Sequence, residues 1–208
     1  MNVLNIQLTA TYIDCSKIVK LATEREHFPI GNDTETCQRA LVTGAAGGLG
    51  REVAIQLAAK GCAVAIADIN KDGLAETAGL VGAHGVDVVE INGDFTQQGA
   101  PEAAVRKVVS SWGGIDILVN NAAYGVIEPF LDATFAGWTR TLALNVTALA
   151  MACKEAGRAM REQRSGRIIN ITSPGSRMAL PDYTAYTASK AGVDSITRAA
   201  AVALAPYG

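Results

Sequence analysis

The sequence predicts an α/β fold, a parallel sheet covered by helices on both faces, and three observations carry the prediction. From Arg39 onward, short apolar runs alternate with longer alanine-rich amphipathic segments, the pattern of strands and helices taking turns along the chain. The short runs are apolar almost throughout and not at every second position, as expected of strands buried on both faces. Apolar residues make up 49% of the 208 but aromatics only 5%, so small side chains must bring the helices close to the sheet. The length suits one domain with a sizeable core.

Residues 1–38 differ from the rest. Leu4, Ile6, Leu8, Ala10 and Tyr12 alternate with Asn5, Gln7, Thr9 and Thr11, a period of two that fits a half-buried strand. A charged stretch from Thr23 to His27 and a break at Pro29 and Gly31 follow. This segment is expected to be a poorly ordered leader, an added edge strand, or an arm reaching another copy. The α/β domain itself is expected to occupy 39–208. Strands are expected at Arg39–Thr43, Cys62–Ala67, Val86–Ile91, Ile115–Asn120 and Arg167–Thr172. Helices are expected at Leu49–Lys60, Asn70–Val81, Pro101–Trp112, Phe135–Gln163 and Tyr183–Leu204, with Gly166 as the C-cap of the fourth.

Composition excludes several classes. A net charge of −2 gives no footprint for nucleic acid or an anionic membrane. Arg158, Arg161, Arg164 and Arg167 cluster, but at a helix C-terminus, where positive charge is favoured anyway. Cys15, Cys37, Cys62 and Cys153 form no C-x-x-C and no metal-ligand spacing, which suits buried thiols in a reducing compartment and predicts no metal site. No apolar run approaches the roughly 18 residues that span a bilayer. A soluble, cytoplasmic protein is expected.

The run Thr43-Gly-Ala-Ala-Gly-Gly-Leu-Gly50 joins the first of the buried strands to the first helix. Gly44 permits a tight turn, Gly48 lets backbone approach a pyrophosphate, and Gly50 allows close helix packing. The helix N-terminus offers free N–H groups and a positive dipole end to phosphates. Asp68 ends the second strand, where a carboxylate can bind ribose hydroxyls and repel a 2′-phosphate. NAD is therefore expected over NADP, with Arg51 and Lys71 as the features that favour NADP.

A second constellation lies near the C-terminus. Tyr186 and Lys190 are four residues apart on a predicted helix and share a face. Ser173 ends the preceding strand and can reach the same point. An ammonium beside a phenol favours the phenolate and is expected to lower its pKa from about 10. A hydroxyl alongside can hold a substrate oxygen, making a proton-transfer site for a carbonyl or carbinol.

With these blocks in order, residues 39–208 resemble the short-chain dehydrogenase/reductase family, whose fold is a Rossmann-like doubly wound parallel sheet. The family's T-G-x-x-x-G-x-G corresponds to Thr43–Gly50, its acidic residue after the second strand to Asp68, and its adenine-contacting acid to Asp94. N-N-A-G appears as Asn120-Asn121-Ala122-Ala123, with alanine in place of the last glycine, a change expected to crowd the loop slightly. Asn145, Ser173, Tyr186 and Lys190 fall on the remaining family positions.

The resemblance implies an NAD(P)-dependent oxidoreductase that interconverts a secondary alcohol and a ketone, with a sugar, polyol or oxoacyl compound as substrate. Tyr186 is then the acid/base, Lys190 tunes it and binds the nicotinamide ribose, Ser173 orients the substrate oxygen, and Asn145 holds a proton-relay water. Gly44, Gly48, Leu49 and Gly50 would contact the pyrophosphate side of NAD. Asp68, Ile69, Asp94 and Phe95 would line the adenosine, and Asn120, Ala122, Tyr186 and Lys190 the nicotinamide half. A homo-dimer or homo-tetramer is implied, through the helices around 135–163 and 183–204, with Ala148, Ala152, Ala188 and Ala199 permitting close approach. The resemblance also implies further strands, a nicotinamide-holding loop and a substrate lid beyond position 208. Without them the last strand is expected to have an open edge unless the alternating N-terminal stretch covers it. A non-catalytic dinucleotide-binding or interaction domain is the alternative reading.

Overall fold

The structure, a computed structural model, describes residues 2–6, 15–23 and 38–208. Residues 7–12 of the alternating stretch, most of the charged run and Cys37 lie outside the described residues.

Five apolar runs form β2 (Arg39–Thr43), β3 (Ala63–Asp68), β4 (Val88–Asn92), β5 (Ile117–Asn120) and β6 (Arg167–Ile171), preceded by β1 (Asn2–Ile6). They make a six-stranded sheet in the order β1-β6-β5-β2-β3-β4, and every pairing is parallel. Helix α1 (Cys15–Thr23) lies in the N-terminal segment, and α2 (Gly48–Ala59), α3 (Lys71–Gly82) and α4 (Ala100–Trp112) link the strands that follow. Next come α5 (Phe135–Leu142), α6 (Leu149–Gln163) and α7 (Thr184–Leu204).

Successive side chains of a strand point to opposite faces, so each strand feeds two cores. Val42, Val64, Ile66 and Val119 pack with Leu57 of α2, Leu74 of α3 and Ile18 of α1. Leu41, Ala65, Leu118 and Ile168 pack on the other face with Val105 of α4, Met160 of α6 and Val193 of α7. The observed strands and helices begin and end within about two residues of expectation, the usual scatter where helix ends fray.

Three sequence expectations are revised. The expected helix over 135–163 is interrupted at Ala143–Ala148 by a wide π-type turn. The C-cap of α6 is Arg164, with φ 57°, and not Gly166. A Cβ on Gly166 would run into the Met160 side chain, so that glycine is required for packing. Ala148 and Ala152 are 3% and 1% exposed within the subunit, so they are not available to another copy. Ala188 and Ala199 are exposed.

The N-terminal strand lies parallel along β6, with Asn2 opposite Arg167 and Ile6 opposite Ile171. It thereby covers the outer edge of β6 among the described residues. Helix α1 buries Ile18, Val19 and Ala22 against the same core as α2. Its C-terminal carbonyls at Leu21 and Ala22 accept from the Arg167 guanidinium at 3.3 and 2.8 Å, which satisfies groups that a helix end leaves unpaired. Ile18→Ala should therefore destabilise the whole domain by about 2–4 kcal/mol, read as a shift in the urea midpoint at unchanged slope. A change under about 0.5 kcal/mol would show that α1 is not part of the cooperative unit.

Candidate active site

In a parallel sheet all strands finish at one edge, and the candidate residues collect there. Thr43, Asp68 and Asn120 end β2, β3 and β5, while Asp94 and Ser173 each lie two residues past the ends of β4 and β6.

The glycine turn follows β2. Gly44 and Gly48 have φ of 68° and 52°, a left-handed region that a side chain disfavours. A Cβ on Gly48 would meet nothing within 4 Å, so this backbone faces open space where a phosphate could approach. A Cβ on Gly50 would strike the Gly44 carbonyl and lie 2.6 Å from Asn121 Nδ2. The turn is braced from several sides. Gly44 and Ala45 N–H donate to the Ala67 carbonyl at 2.8 and 3.2 Å, and Ala46 N–H donates to Asp68 Oδ2 at 3.1 Å. Leu49, half-buried, packs against the core beneath.

Asp68 is half-buried, and its Oδ1 accepts from the Asn70 N–H at 2.9 Å. Asn70 is the N-cap of α3, its side chain accepting from Gly73 N–H at 3.1 Å. Capping is thus done by Asn70, and the Asp68 carboxylate is left to face the turn. Beside it Ile69 is 63% exposed, an apolar surface just past the end of β3. Asp94 Oδ1 accepts from the Thr96 N–H and hydroxyl at 2.9 and 2.7 Å, bonds that hold its pKa below the ordinary carboxylate value. Phe95 packs against the core under α4.

After β5 the two asparagines diverge. Asn120 turns inward, donating to Asn170 Oδ1 at 2.9 Å and to Cys153 Sγ at 3.3 Å. Asn121 instead ties the loops together, its Nδ2 donating to the Thr43 and Gly44 carbonyls at 3.0 and 3.1 Å. Thr43 Oγ1 accepts from the N–H groups of Asn121 and Ala122, both at 3.0 Å. Ala123 is exposed and takes no left-handed conformation, so alanine is tolerated where the family pattern has glycine.

Ser173, Tyr186 and Lys190 converge at the end of β6. The Ser173 hydroxyl lies on the Tyr186 side of this point and accepts from the Gly175 N–H at 3.1 Å, and Lys190 Nζ lies 5.5 Å from the centre of the Tyr186 ring. Lys190 is only 3% exposed, and its Nζ donates to the Ile171 carbonyl at 2.8 Å. Burial pushes its pKa down to about 8, against a smaller upward pull from Asp194. The expected lowering of Tyr186 is not what the structure produces. Burial raises its pKa, opposed by the Ser173 hydroxyl, and Tyr183, stacked at 4.7 Å, adds to the rise. Lys190 is directed at a backbone carbonyl, and desolvation of the phenolate wins.

Asn145 lies in the π-type turn with its amide fully engaged. Its Oδ1 accepts from Tyr124 N–H at 2.8 Å, and its Nδ2 donates to the Tyr124 carbonyl at 2.7 Å and to Ser189 Oγ at 2.9 Å. The side chain thus fastens the loop after β5 to α7.

The family model for short chain dehydrogenase matches residues 38–208. The chain belongs to the short-chain dehydrogenase family. That family comprises oxidoreductases acting on CH–OH groups. Among similar members, the short-chain dehydrogenase/reductase eriH of Hericium erinaceus is 37% identical over 174 residues, covering 81% of this chain and 69% of that protein. D-threitol dehydrogenase of Mycolicibacterium smegmatis is 34% identical over 159 residues, covering 76% and 61%. The crystal structure of an NAD+-bound xylitol dehydrogenase superposes with a TM-score of 0.79 at 36% identity, covering 82% of this chain and 66% of that one. The chain thus spans about two thirds of the length of these family members.

Sequence reading missed the supports beneath these family positions. Asp194, 5% exposed, accepts from the Thr172 hydroxyl at 2.8 Å and lies one helical turn beyond Lys190. An acidic residue four positions after Lys190 on an alanine-rich face was the available signal. Thr77, fully buried, has its hydroxyl 2.8 Å from the Ala45 carbonyl of the glycine turn, a contact that no local pattern announces.

The Lys190 shift has a thermodynamic consequence. Below pH about 8 both the native and the unfolded chain hold this proton; between about 8 and 10.5 only the unfolded chain does. Rising pH through that window therefore favours the native state, by about 2 kcal/mol near pH 10. The raised Tyr186 value works in the opposite direction only above its ordinary 10.0. The stability difference between wild type and Lys190→Met, followed by denaturant unfolding from pH 7 to 10, should drift in favour of wild type. A pH-independent difference would exclude the shift.

Proposed function

We propose that the protein is an NAD(H)-dependent oxidoreductase that interconverts a secondary alcohol and a ketone, with Tyr186 as acid/base. The observation that carries this reading is the convergence of half-buried Ser173 and Tyr186 with buried Lys190, 5.5 Å from the Tyr186 ring, at the same end of the sheet as the glycine turn and Asp68. The residues present fit a dinucleotide: open backbone at Gly48 and the α2 N-terminus suit the pyrophosphate, and the Asp68 carboxylate suits an unphosphorylated ribose. Asp94, Asn120 and Ala122 fall along the remainder of that edge. When bound, the nicotinamide supplies or takes the hydride.

The chain's own residues handle the proton and the charge. Ser173 holds the substrate oxygen against the Tyr186 hydroxyl. In oxidation the Tyr186 oxygen takes the alcohol proton; in reduction it returns a proton to the carbonyl oxygen. Ser173 stabilises the negative charge that develops on that oxygen. Lys190 orients the ribose and supplies positive charge below its pKa of about 8. Asn145 fixes the loop that forms the opposite wall. The names of the xylitol and D-threitol dehydrogenases support a polyol-like substrate.

The reading includes a cytoplasmic homo-oligomer. Small exposed residues of α7, among them Ala188 and Ala199, together with the exposed Phe135 and Val202, support association through α5, α6 and α7. Among the described residues no helix is long and apolar enough to cross a membrane. Light scattering at micromolar concentration should give a dimer or tetramer mass; a monomer throughout would remove this part of the proposal.

Tyr186→Phe keeps the ring and removes the proton. It should lower polyol oxidation by about 10²–10⁴-fold while leaving NAD+ affinity, read by fluorescence titration, within about threefold. Undiminished turnover would reject Tyr186 as the acid/base. Dinucleotide binding with no turnover in the wild type would favour the non-catalytic alternative.

A further inference from the structure

Arg51, the first residue after the glycine turn, is held by four partners. Its Nε donates to Thr77 Oγ1 at 2.9 Å, and its Nη2 is shared among the Ala46 carbonyl at 2.6 Å, the Gly73 carbonyl at 3.3 Å and Glu76 Oε2 at 2.8 Å. Ala46 is also the residue whose N–H binds Asp68 Oδ2 at 3.1 Å. The guanidinium is therefore separated from the ribose-end carboxylate by a single residue of the turn. A nearby arginine is the usual means of accommodating a 2′-phosphate, and here one stands at that end of the site.

We infer that Glu76, on α3, is a determinant of cofactor choice: it neutralises Arg51, so that the charge facing the ribose is set by Asp68 alone. The Glu76 side chain is 68% exposed and that of Arg51 27%, so their ion pair adds little to stability. Its effect is on the local field. With Glu76 present, one cation stands between two carboxylates, a net charge of −1. Without it, Arg51 balances Asp68 and the barrier to a 2′-phosphate falls. Thr77 and the Ala46 and Gly73 carbonyls still hold Arg51 when Glu76 changes, so the turn and the NAD site keep their shape.

This inference rests on the dinucleotide reading of the site, and the test separates the two. Dissociation constants for NAD+ and NADP+ are measured by intrinsic fluorescence at fixed low ionic strength. Wild type is compared with Glu76→Gln, Glu76→Lys, and Glu52→Gln, which removes an exposed carboxylate from α2. The NADP+/NAD+ ratio of dissociation constants should fall about three- to tenfold in Glu76→Gln, further in Glu76→Lys, and less as salt is raised. NAD+ affinity should stay within about twofold, and Glu52→Gln should leave the ratio unmoved. Normal NAD+ binding with an unchanged ratio in both Glu76 variants, or an equal change in Glu52→Gln, overturns the inference alone. Failure of wild type to bind either dinucleotide overturns the reading of the site and the inference with it.

Discussion

Parallel pairing of a buried sheet is the constraint on which the rest of the molecule depends. Strands covered on both faces must satisfy their backbone groups with one another, and parallel strands must be joined by crossovers that return the chain to the same starting edge. The return is made by helices, and the turns from strand to helix all fall at the opposite edge. That edge gathers the glycine turn, Asp68, the Asn120–Asn121 loop and Ser173 from stretches far apart in sequence. The same geometry leaves strand edges to be managed, and β1 with α1 covers the one at β6.

Beneath the site, the sheet and helices are pinned by polar groups in an otherwise apolar interior. Asn170, fully buried on β6, accepts from Asn120 on β5 and donates to Thr197 on α7 at 2.9 Å. Cys153 on α6 joins them, and burial pushes its thiol up to about 12, so it remains a neutral packing group. Buried polar groups are costly unless paired. Pairing them across four elements fixes the relative placement of β5, β6, α6 and α7, and hence of the loops above.

Electrostatics at the proton-transfer point follows from burial more than from pairing. Tyr186 and Lys190 are both pushed toward their neutral forms by desolvation, the phenol upward and the ammonium down to about 8. Ser173 and Asp194 oppose the two shifts respectively. A lysine beside a tyrosine lowers the phenol's pKa only while it is charged, and Lys190, at about 8, has lost its proton before the phenol titrates. Its Nζ is bound to the Ile171 carbonyl.

The sequence by itself determined the order of strands and helices, the glycine turn and the helical pairing of Tyr186 with Lys190. Each of these is local: apolar periodicity, the absence of a Cβ, and a spacing of four residues act over one or two turns of chain. Only the tertiary structure decided which groups meet across the sheet. Asn145 is occupied by Tyr124 and Ser189, Asn120 is directed inward to Asn170, and Arg51 is shared between the turn and α3. Gly166 is reserved for Met160 while Arg164 takes the left-handed cap. These outcomes depend on side chains tens of residues apart competing for the same hydrogen-bond partners and the same volume, and that competition exists only once the sheet has brought them together.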